Sequence, residues 1–289
     1  MPLFQIKNKK VAQVAIDLRH FRDEAALRDF FADNLEDLLG LRFLAKEYPT
    51  RDGRIDTLAI DETGAPVIIE YKWSEKDNIL PQGLFYFDWL KENKRLFDLL
   101  VKDKLGKQTK VNWDRPRVIL IAQGFDRYTL AAVRQVKHVE LITYTPYSSE
   151  ILFLETVYSP ESVKPVTETV ARRQASTLGI DYHLSASTED IKKIFYALQE
   201  RIKTLPGIEE MADQKVGITY RTTKSFVRLE FGKSYIDVLL RDSHYDDPRG
   251  LVKDITSFEW GYEGQAKIKS LVDVEYVFGL IKQSYQSTL

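Results

Sequence analysis

The sequence predicts an α/β fold in its first half and a smaller α+β unit in its second half. Between about residues 20 and 145, short apolar, β-branched runs alternate with amphipathic helical patterns in the order helix, three strands, helix, strand. Residues 159–178 are instead rich in Ser, Thr, Glu and Val and contain two prolines, which is typical of a linker. We therefore expect one domain over residues 1–160, a linker over 161–178 and a second domain over 179–289.

The apolar spacing places the elements of the first half. A small hairpin is expected over residues 3–16, and a helix over 23–39 is predicted to stop at Gly40. A second helix begins near residue 79, with Pro81 in its first turn, and continues to about residue 101. Strands are predicted at residues 43–48, 55–60, 67–73, 118–122, 139–144 and 151–157, with a helix at 128–136 before the fifth strand.

The second half shows helices at both ends of a short run of strands. The apolar face of residues 187–203 predicts one helix, and residues 272–287 predict another that closes the chain. Between them we expect a helix or turn at residues 207–213, a three-stranded meander at 216–222, 226–231 and 235–240, and a further strand at 257–262.

Three ionisable residues interrupt the apolar hairpin of residues 54–72, namely Asp56, Glu70 and Lys72. Alternate residues of a strand share a face, so Glu70 and Lys72 point the same way, roughly 7 Å apart, and the paired strand can bring Asp56 beside them. Burying such charges is costly unless they are paired or bind a metal. Two interpretations follow. The three residues form a structural salt bridge, or the carboxylates bind Mg²⁺ while the lysine holds a phosphate oxygen or an attacking water.

The order Asp56, then Glu70-x-Lys72 on the next strand, resembles the signature of the PD-(D/E)XK nuclease superfamily. Ile55 replaces the proline of the family name. Glu36 lies near the end of the preceding helix, where many members carry a helper acid. The resemblance implies a restriction-endonuclease-like αβββαβ core over roughly residues 20–145.

A second motif extends the resemblance. Gln82-Gly83-Leu84-Phe85-Tyr86 is similar to the Gln-x-x-x-Tyr motif of the exonuclease-like branch of this superfamily. Gln82 and Tyr86 are four residues apart and therefore share one face of their helix. Without the resemblance, Tyr86 would be a core residue, Gln82 a capping or surface residue and Glu36 a solvated helix acid.

The resemblance implies a Mg²⁺- or Mn²⁺-dependent nuclease acting on DNA. Asp56 and Glu70 would bind the metal, and Lys72 would orient the attacking water and stabilise charge on the phosphate. Glu36 would assist in the outer shell. Gln82 and Tyr86 would position the acids or touch the nucleic-acid backbone.

Composition limits these expectations. The 289 residues include 42 Lys+Arg and 43 Asp+Glu, so the net charge of −1 does not favour a general DNA binder. An alternative is therefore a catalytically silent nuclease-like fold that binds nucleic acid or protein. The absence of cysteine excludes disulfides, thiolate zinc sites and cysteine nucleophiles. With no signal-like or membrane-length apolar run, we expect a cytoplasmic protein without membrane contact, whose second domain selects a partner or helps to form a homodimer.

Overall fold

The computed structural model describes residues 3–8, 10–17, 19–73, 79–107, 109–148, 150–160, 179–212, 217–242, 244–255 and 261–289. The chain divides into two compact units, Met1–Thr167 and Glu168–Leu289. The residues predicted as a linker, 161–178, lie outside the described part of the chain.

The first unit follows the predicted order of helix, three strands, helix and strand, which is confirmed. Its elements are β1 (Leu3–Lys7), β2 (Lys10–Val14), α1 (Glu24–Asp33), α2 (Leu35–Leu39), β3 (Leu41–Thr50), β4 (Gly53–Asp61), β5 (Pro66–Lys72), α3 (Ile79–Glu92), α4 (Lys94–Leu105), β6 (Arg117–Ala122), α5 (Arg127–Ala132), a 3₁₀ turn (Val133–Gln135), β7 (Val139–Tyr147) and β8 (Ile151–Tyr158).

A mixed sheet forms the centre of this unit. Its strands lie in the order β3-β4-β5-β6-β7-β8. The first three form an antiparallel meander, β5, β6 and β7 are parallel, and β8 returns antiparallel along β7. The two parallel pairings need crossover connections, which α3–α4 and α5 provide.

The central strands are apolar throughout because both faces of the sheet are covered. Ile68 of β5 packs in a core with Leu90 of α3 and Phe97 of α4, whereas its neighbour Ile69 packs with Phe31 of α1 on the opposite face. Burial on both faces explains why these strands lack the alternating pattern of a half-exposed sheet.

Two predicted long helices are each divided at an asparagine, which corrects the bounds expected from the sequence. The helix predicted over residues 23–39 breaks at Asn34, whose amide donates to the carbonyl of Phe30 at 2.8 Å. The helix predicted over 79–101 breaks at Asn93, whose amide donates to the carbonyl of Trp89 at 2.8 Å. In both cases the side chain bonds the carbonyl four residues earlier and so competes with the helical backbone.

Gly83 allows α3 to lie close against the sheet. A Cβ atom at this position would lie 2.7 Å from Cδ2 of Leu120 and 3.0 Å from Cγ1 of Val118, both on β6. A Cβ contact of 2.7 Å essentially never occurs, so the Leu120 side chain, the helix or the strand would have to shift to accommodate it. Gln82, the preceding residue, is thereby held near the strands.

The second unit is an α+β fold with its own core. Its elements are α6 (Ile180–Leu184), α7 (Glu189–Ile202), β9 (Glu209–Met211), β10 (Ile218–Arg221), β11 (Ser225–Phe231), β12 (Ile236–Leu240), β13 (Lys253–Asp254), β14 (Gly264–Ile268), a 3₁₀ turn (Leu271–Asp273) and α8 (Val274–Gln286). The strands form an antiparallel sheet in the order β13-β14-β12-β11-β10-β9, and the core contains apolar residues of this sheet, α7 and α8.

The predicted meander β10–β11–β12 is confirmed, one neighbouring prediction is corrected, and one neighbouring strand was missed. Residues 209–211 form strand β9 rather than a helix or turn, since they pair with β10. Strand β14 was not predicted, because Gly264, Gln265 and Lys267 leave it few of the large apolar residues that mark a strand. Most of the strand predicted at 257–262 lies outside the described residues. Among the helices that the structure describes, none is long and apolar enough to cross a membrane.

Candidate active site

The hairpin of β4 and β5 holds Asp56 and Glu70 side by side. The backbone N–H of Asp56 donates to Oε1 of Glu70 at 3.1 Å, and the backbone N–H of Tyr71 donates to Oδ2 of Asp56 at 3.1 Å. Each carboxylate therefore accepts a hydrogen bond from the backbone of the other strand. The strand register, which pairs Thr57 with Ile69, fixes this reciprocal arrangement.

Gln82 of α3 completes the hydrogen bonding of Glu70. Its Nε2 donates to Oε2 of Glu70 at 2.7 Å, so both oxygens of this fully buried carboxyl have a donor. A buried carboxyl with both oxygens bonded has one orientation, because any rotation would leave polar atoms unsatisfied.

Lys72 lies at the end of β5 and contacts a carboxylate from α1. Its Nζ donates to Oε1 of Glu24 at 2.9 Å, and the side chain of Lys72 is 18% exposed. Glu24 is the first residue of α1 and follows Asp23, whose side chain caps the helix by accepting from the N–H of Ala26. Helix capping thus positions the residue that pairs with Lys72.

The helix acid beside Lys72 is therefore Glu24, which the sequence analysis did not select. Glu36 lies in α2 at an exposed position, and its outer-shell role stays a prediction. The capping pair Asp23-Glu24 was visible in the sequence as a helix start. What the sequence did not show is that this helix start lies at the end of β5.

The site contains more acidic than basic side chains. Burial, and then the charge of Asp56, raises the pKa of Glu70 to about 9. Burial also raises the pKa of Asp56, against the opposite effect of the N–H of Tyr71. Burial lowers the pKa of Lys72, but the hydrogen bond to Glu24 and the nearby carboxylates outweigh it, so this pKa lies above its ordinary value. The acid pair therefore retains a proton near neutral pH unless another cation replaces it.

Tyr86 supports the strand that carries Asp56. Its hydroxyl accepts from the backbone N–H of Arg54 at 3.1 Å, and a Cβ atom at Gly53 would lie 2.6 Å from this oxygen. Burial, and then the charge of Glu70, raises the pKa of Tyr86, so the hydroxyl stays protonated. Gln82 and Tyr86 thus act on different parts of the hairpin, one on a carboxyl group and the other on the backbone.

A charged border flanks Asp56 on the side of α1 and β3, and no pattern in the sequence predicted it. Arg28 of α1 pairs with Glu47 of β3 at 3.2 Å, and Glu47 also pairs with Arg54 at 3.4 Å. Burial lowers the pKa of Arg28, but nearby acids, including Asp56, have a larger opposite effect, so this pKa lies above its ordinary value. The guanidinium of Arg28 therefore interacts electrostatically with Asp56. Arg28 lies four residues after Glu24 and so on the same helix face.

The donor set suits a hard divalent cation held by few protein ligands. Asp56 and Glu70 offer carboxylate oxygens, which Mg²⁺ prefers, and Mg²⁺ usually keeps several waters beside one or two carboxylates. Within the described part of the chain, no group of three or more His, Asp or Glu side chains has the geometry of a metal site. The residues therefore fit Mg²⁺ better than an ion that needs a full set of protein ligands.

One family model matches the second unit, and one protein matches nearly the whole chain. A family described as a domain of unknown function (DUF5655) matches residues 180–288. A protein of Haemophilus influenzae described as uncharacterized is 26% identical over 302 residues, covering 98% of this chain and 99% of that protein.

Two solved structures are similar to part of the chain. A repair endonuclease from Pyrococcus abyssi matches with 20% identity and a TM-score of 0.26, covering 41% of this chain and 45% of that structure. An EndoMS-dsDNA2 complex matches with 15% identity and a TM-score of 0.26, covering 48% of this chain and 64% of that structure. The chain thus spans less than two thirds of either structure, and its function is inferred from the residues of the site.

Proposed function

We propose that this chain is a Mg²⁺-dependent nuclease that hydrolyses phosphodiester bonds of DNA. The observation that carries the proposal is the buried Glu70, which is oriented by Gln82 and lies beside Asp56, with Lys72 two residues further along the same strand. This is the arrangement that the PD-(D/E)XK resemblance implies. The choice of DNA as substrate rests on that resemblance.

Asp56 and Glu70 would hold the cation. The buried carboxyl of Glu70 and the half-buried carboxyl of Asp56 repel when both are ionised, and a divalent cation removes that repulsion together with the proton that Glu70 otherwise keeps. When bound, Mg²⁺ polarises a phosphoryl oxygen and favours ionisation of water. Gln82 would keep the Glu70 carboxylate in its orientation while the proton leaves.

Lys72 would act on the water and on the phosphate. The ammonium group has three protons, and the hydrogen bond to Glu24 uses one of them. The remaining two can hold the attacking water and a phosphoryl oxygen, where a fixed positive charge stabilises the charge that develops in the transition state. Glu24 keeps Lys72 protonated, so Lys72 orients the water rather than removing its proton.

The proposal is tested by incubating the purified chain with plasmid and single-stranded DNA in Mg²⁺ or Mn²⁺. We expect cleavage that EDTA abolishes and that Asp56→Ala and Lys72→Ala reduce by about 100-fold or more. Asp88→Ala and Lys91→Ala are matched controls, because these residues form an exposed ion pair on α3. Equal cleavage by the parent and by both site variants would disprove the assignment.

A silent binding module is the second candidate, and one observation favours it. Lys72 is already paired with Glu24, and Glu70 is satisfied by Gln82 and the backbone, so the residues can persist as a structural network. Titration with Mn²⁺, followed by calorimetry, separates the candidates. An active site should bind Mn²⁺ and lose that binding in Glu70→Gln, whereas a network without catalytic function need not bind it.

A further inference from the structure

The two edges of the first sheet differ in how they are protected. The β3 edge carries Arg42, Lys46 and Pro49, which discourage pairing with another strand. The β8 edge has one charged residue, Glu155, and no lysine, arginine or proline. No strand among the described residues pairs with its outer side.

Three of the five exposed side chains of β8 are apolar, and the other two belong to Glu155 and Thr156. Ile151 and Phe153 are each 42% exposed, and Val157, which lies at the register shift between β7 and β8, is 40% exposed. A long, apolar and open edge is the kind that natural monomers avoid, since it offers backbone donors and acceptors together with apolar contacts. The outer side of β8 is therefore suited to another strand.

Pro146 determines which backbone groups of β8 face outwards. It pairs with Leu152, and its carbonyl accepts from the N–H of Asp17 at 2.9 Å instead of from β8. Because proline has no N–H, this pair exchanges no hydrogen bonds. The N–H and C=O groups of Leu152 therefore point to the open edge, and the alternation of an antiparallel ladder gives Leu154 and Thr156 the same direction.

We propose that β8 pairs with β8 of a second copy of this chain, about a twofold axis at Leu154. In this antiparallel register Leu154 faces its own symmetry mate, and Leu152 faces the partner's Thr156. All three residues whose backbone groups point outwards are then paired with each other, giving about six backbone hydrogen bonds. The two sheets join into one continuous sheet.

The side chains of β8 are compatible with themselves in this register, which is the reason for choosing a second copy as the partner. Leu154 faces its own symmetry mate, so an apolar pair forms at the centre of the interface. Glu155 faces the partner's Phe153 rather than the partner's Glu155, which avoids opposing like charges across the pair. A twofold interface requires this kind of self-complementarity.

Disulfide trapping tests the register directly, because the chain has no cysteine of its own. In Leu152→Cys/Thr156→Cys, each new cysteine faces the other type across the axis in a hydrogen-bonded pair, where Cα atoms are about 5.5 Å apart and a disulfide can form. Within one strand the two positions are roughly 13 Å apart and cannot be bridged. We expect a covalent dimer on oxidation.

The two single variants are the matched controls, because each would place its cysteines at opposite ends of the paired strands. Neither should cross-link. Failure of the double variant to cross-link, or equal cross-linking by a single variant, would overturn the proposed pairing.

Sedimentation of the untagged full chain gives a second measurement. The parent should sediment as a dimer of 33.5 kDa chains at tens of micromolar, and Leu154→Pro as a monomer. Proline is tolerated in an edge strand where the N–H points away from the sheet, so this variant should keep the far-ultraviolet circular dichroism of the parent. A monomeric parent, or a dimeric and folded Leu154→Pro, would disprove the interface. None of these variants alters Asp56, Glu70 or Lys72, so their outcome is independent of the nuclease assignment.

Discussion

At the scale of single residues, Glu70 combines a cost to stability with the cation-binding role that we propose for it. Its carboxyl is fully buried beside Asp56, and burial together with the charge of Asp56 raises its pKa to about 9. An unfolded chain would release this proton near the ordinary pKa of a glutamate, between pH 4 and 5. Between these two values the folded chain binds a proton that the unfolded chain has lost.

The free energy of unfolding of the metal-free protein should therefore fall as pH rises from 6 to 8, by about 1.4 kcal/mol per pH unit from this group. Glu70→Gln carries no such proton, so its free energy of unfolding should lack this component while DNA cleavage is lost. Urea denaturation in EDTA at pH 6, 7 and 8 measures the difference. Glu92→Gln, an exposed change at the end of α3, is the control and should follow the parent. Parallel pH profiles for the parent and Glu70→Gln would contradict the prediction.

At the scale of elements, α3 fixes the hairpin that carries the acids. Tyr86→Phe removes the hydroxyl that accepts from the N–H of Arg54 and should cost about 1 kcal/mol of unfolding free energy. Gly53→Ala should cost more in the parent, because the new Cβ would lie 2.6 Å from that hydroxyl. In the Tyr86→Phe background the nearest remaining ring atom is 3.5 Å away, so the cost should fall.

A double-mutant cycle measured by urea denaturation gives the coupling between the two positions. We expect about 1 kcal/mol or more, since residues in direct contact are not additive. Additive effects of Gly53→Ala and Tyr86→Phe would show that the ring does not hold the hairpin as described.

The sequence predicted the elements whose signal is local and missed those that depend on distant partners. The two-residue period of a strand predicted that the side chains of Asp56, Glu70 and Lys72 lie close together. The structure places these residues on adjacent strands. Glu24 reaches Lys72 across 48 residues, and no local pattern encodes that distance. The helix breaks at Asn34 and Asn93 were missed because the apolar stripe continues through both positions while only the side-chain bond to the backbone ends the helix.

At the scale of the whole molecule, the net charge of −1 sets how the chain would bind DNA. A protein without excess positive charge releases few counterions, so its affinity should depend weakly on salt, with a slope of log K against log salt of about −2 to −3. The divalent cation should instead supply much of the attraction to the phosphate.

Fluorescence anisotropy with a labelled duplex checks this expectation. Adding Ca²⁺ to EDTA-treated protein should raise the affinity about tenfold or more, and Asp56→Ala should remove the increase. Asp88→Ala, an exposed acid of α3, is the control. Tight binding in EDTA with a steep salt slope would contradict a cation-dependent mode of binding.

Because α3 lies close against the sheet, position 83 should be sensitive to substitution. The residue after Gln82 has no side chain, and the space that a methyl group would need there belongs to Leu120 and Val118. Gly83→Ala would displace the Leu120 side chain or push the helix outwards, and an outward shift would draw the amide of Gln82 away from Glu70, although the substitution adds no charge and removes no polar atom. Systematic mutagenesis of this chain should then identify position 83 as sensitive. The residue there contributes no functional group, and what the site requires of it is empty space.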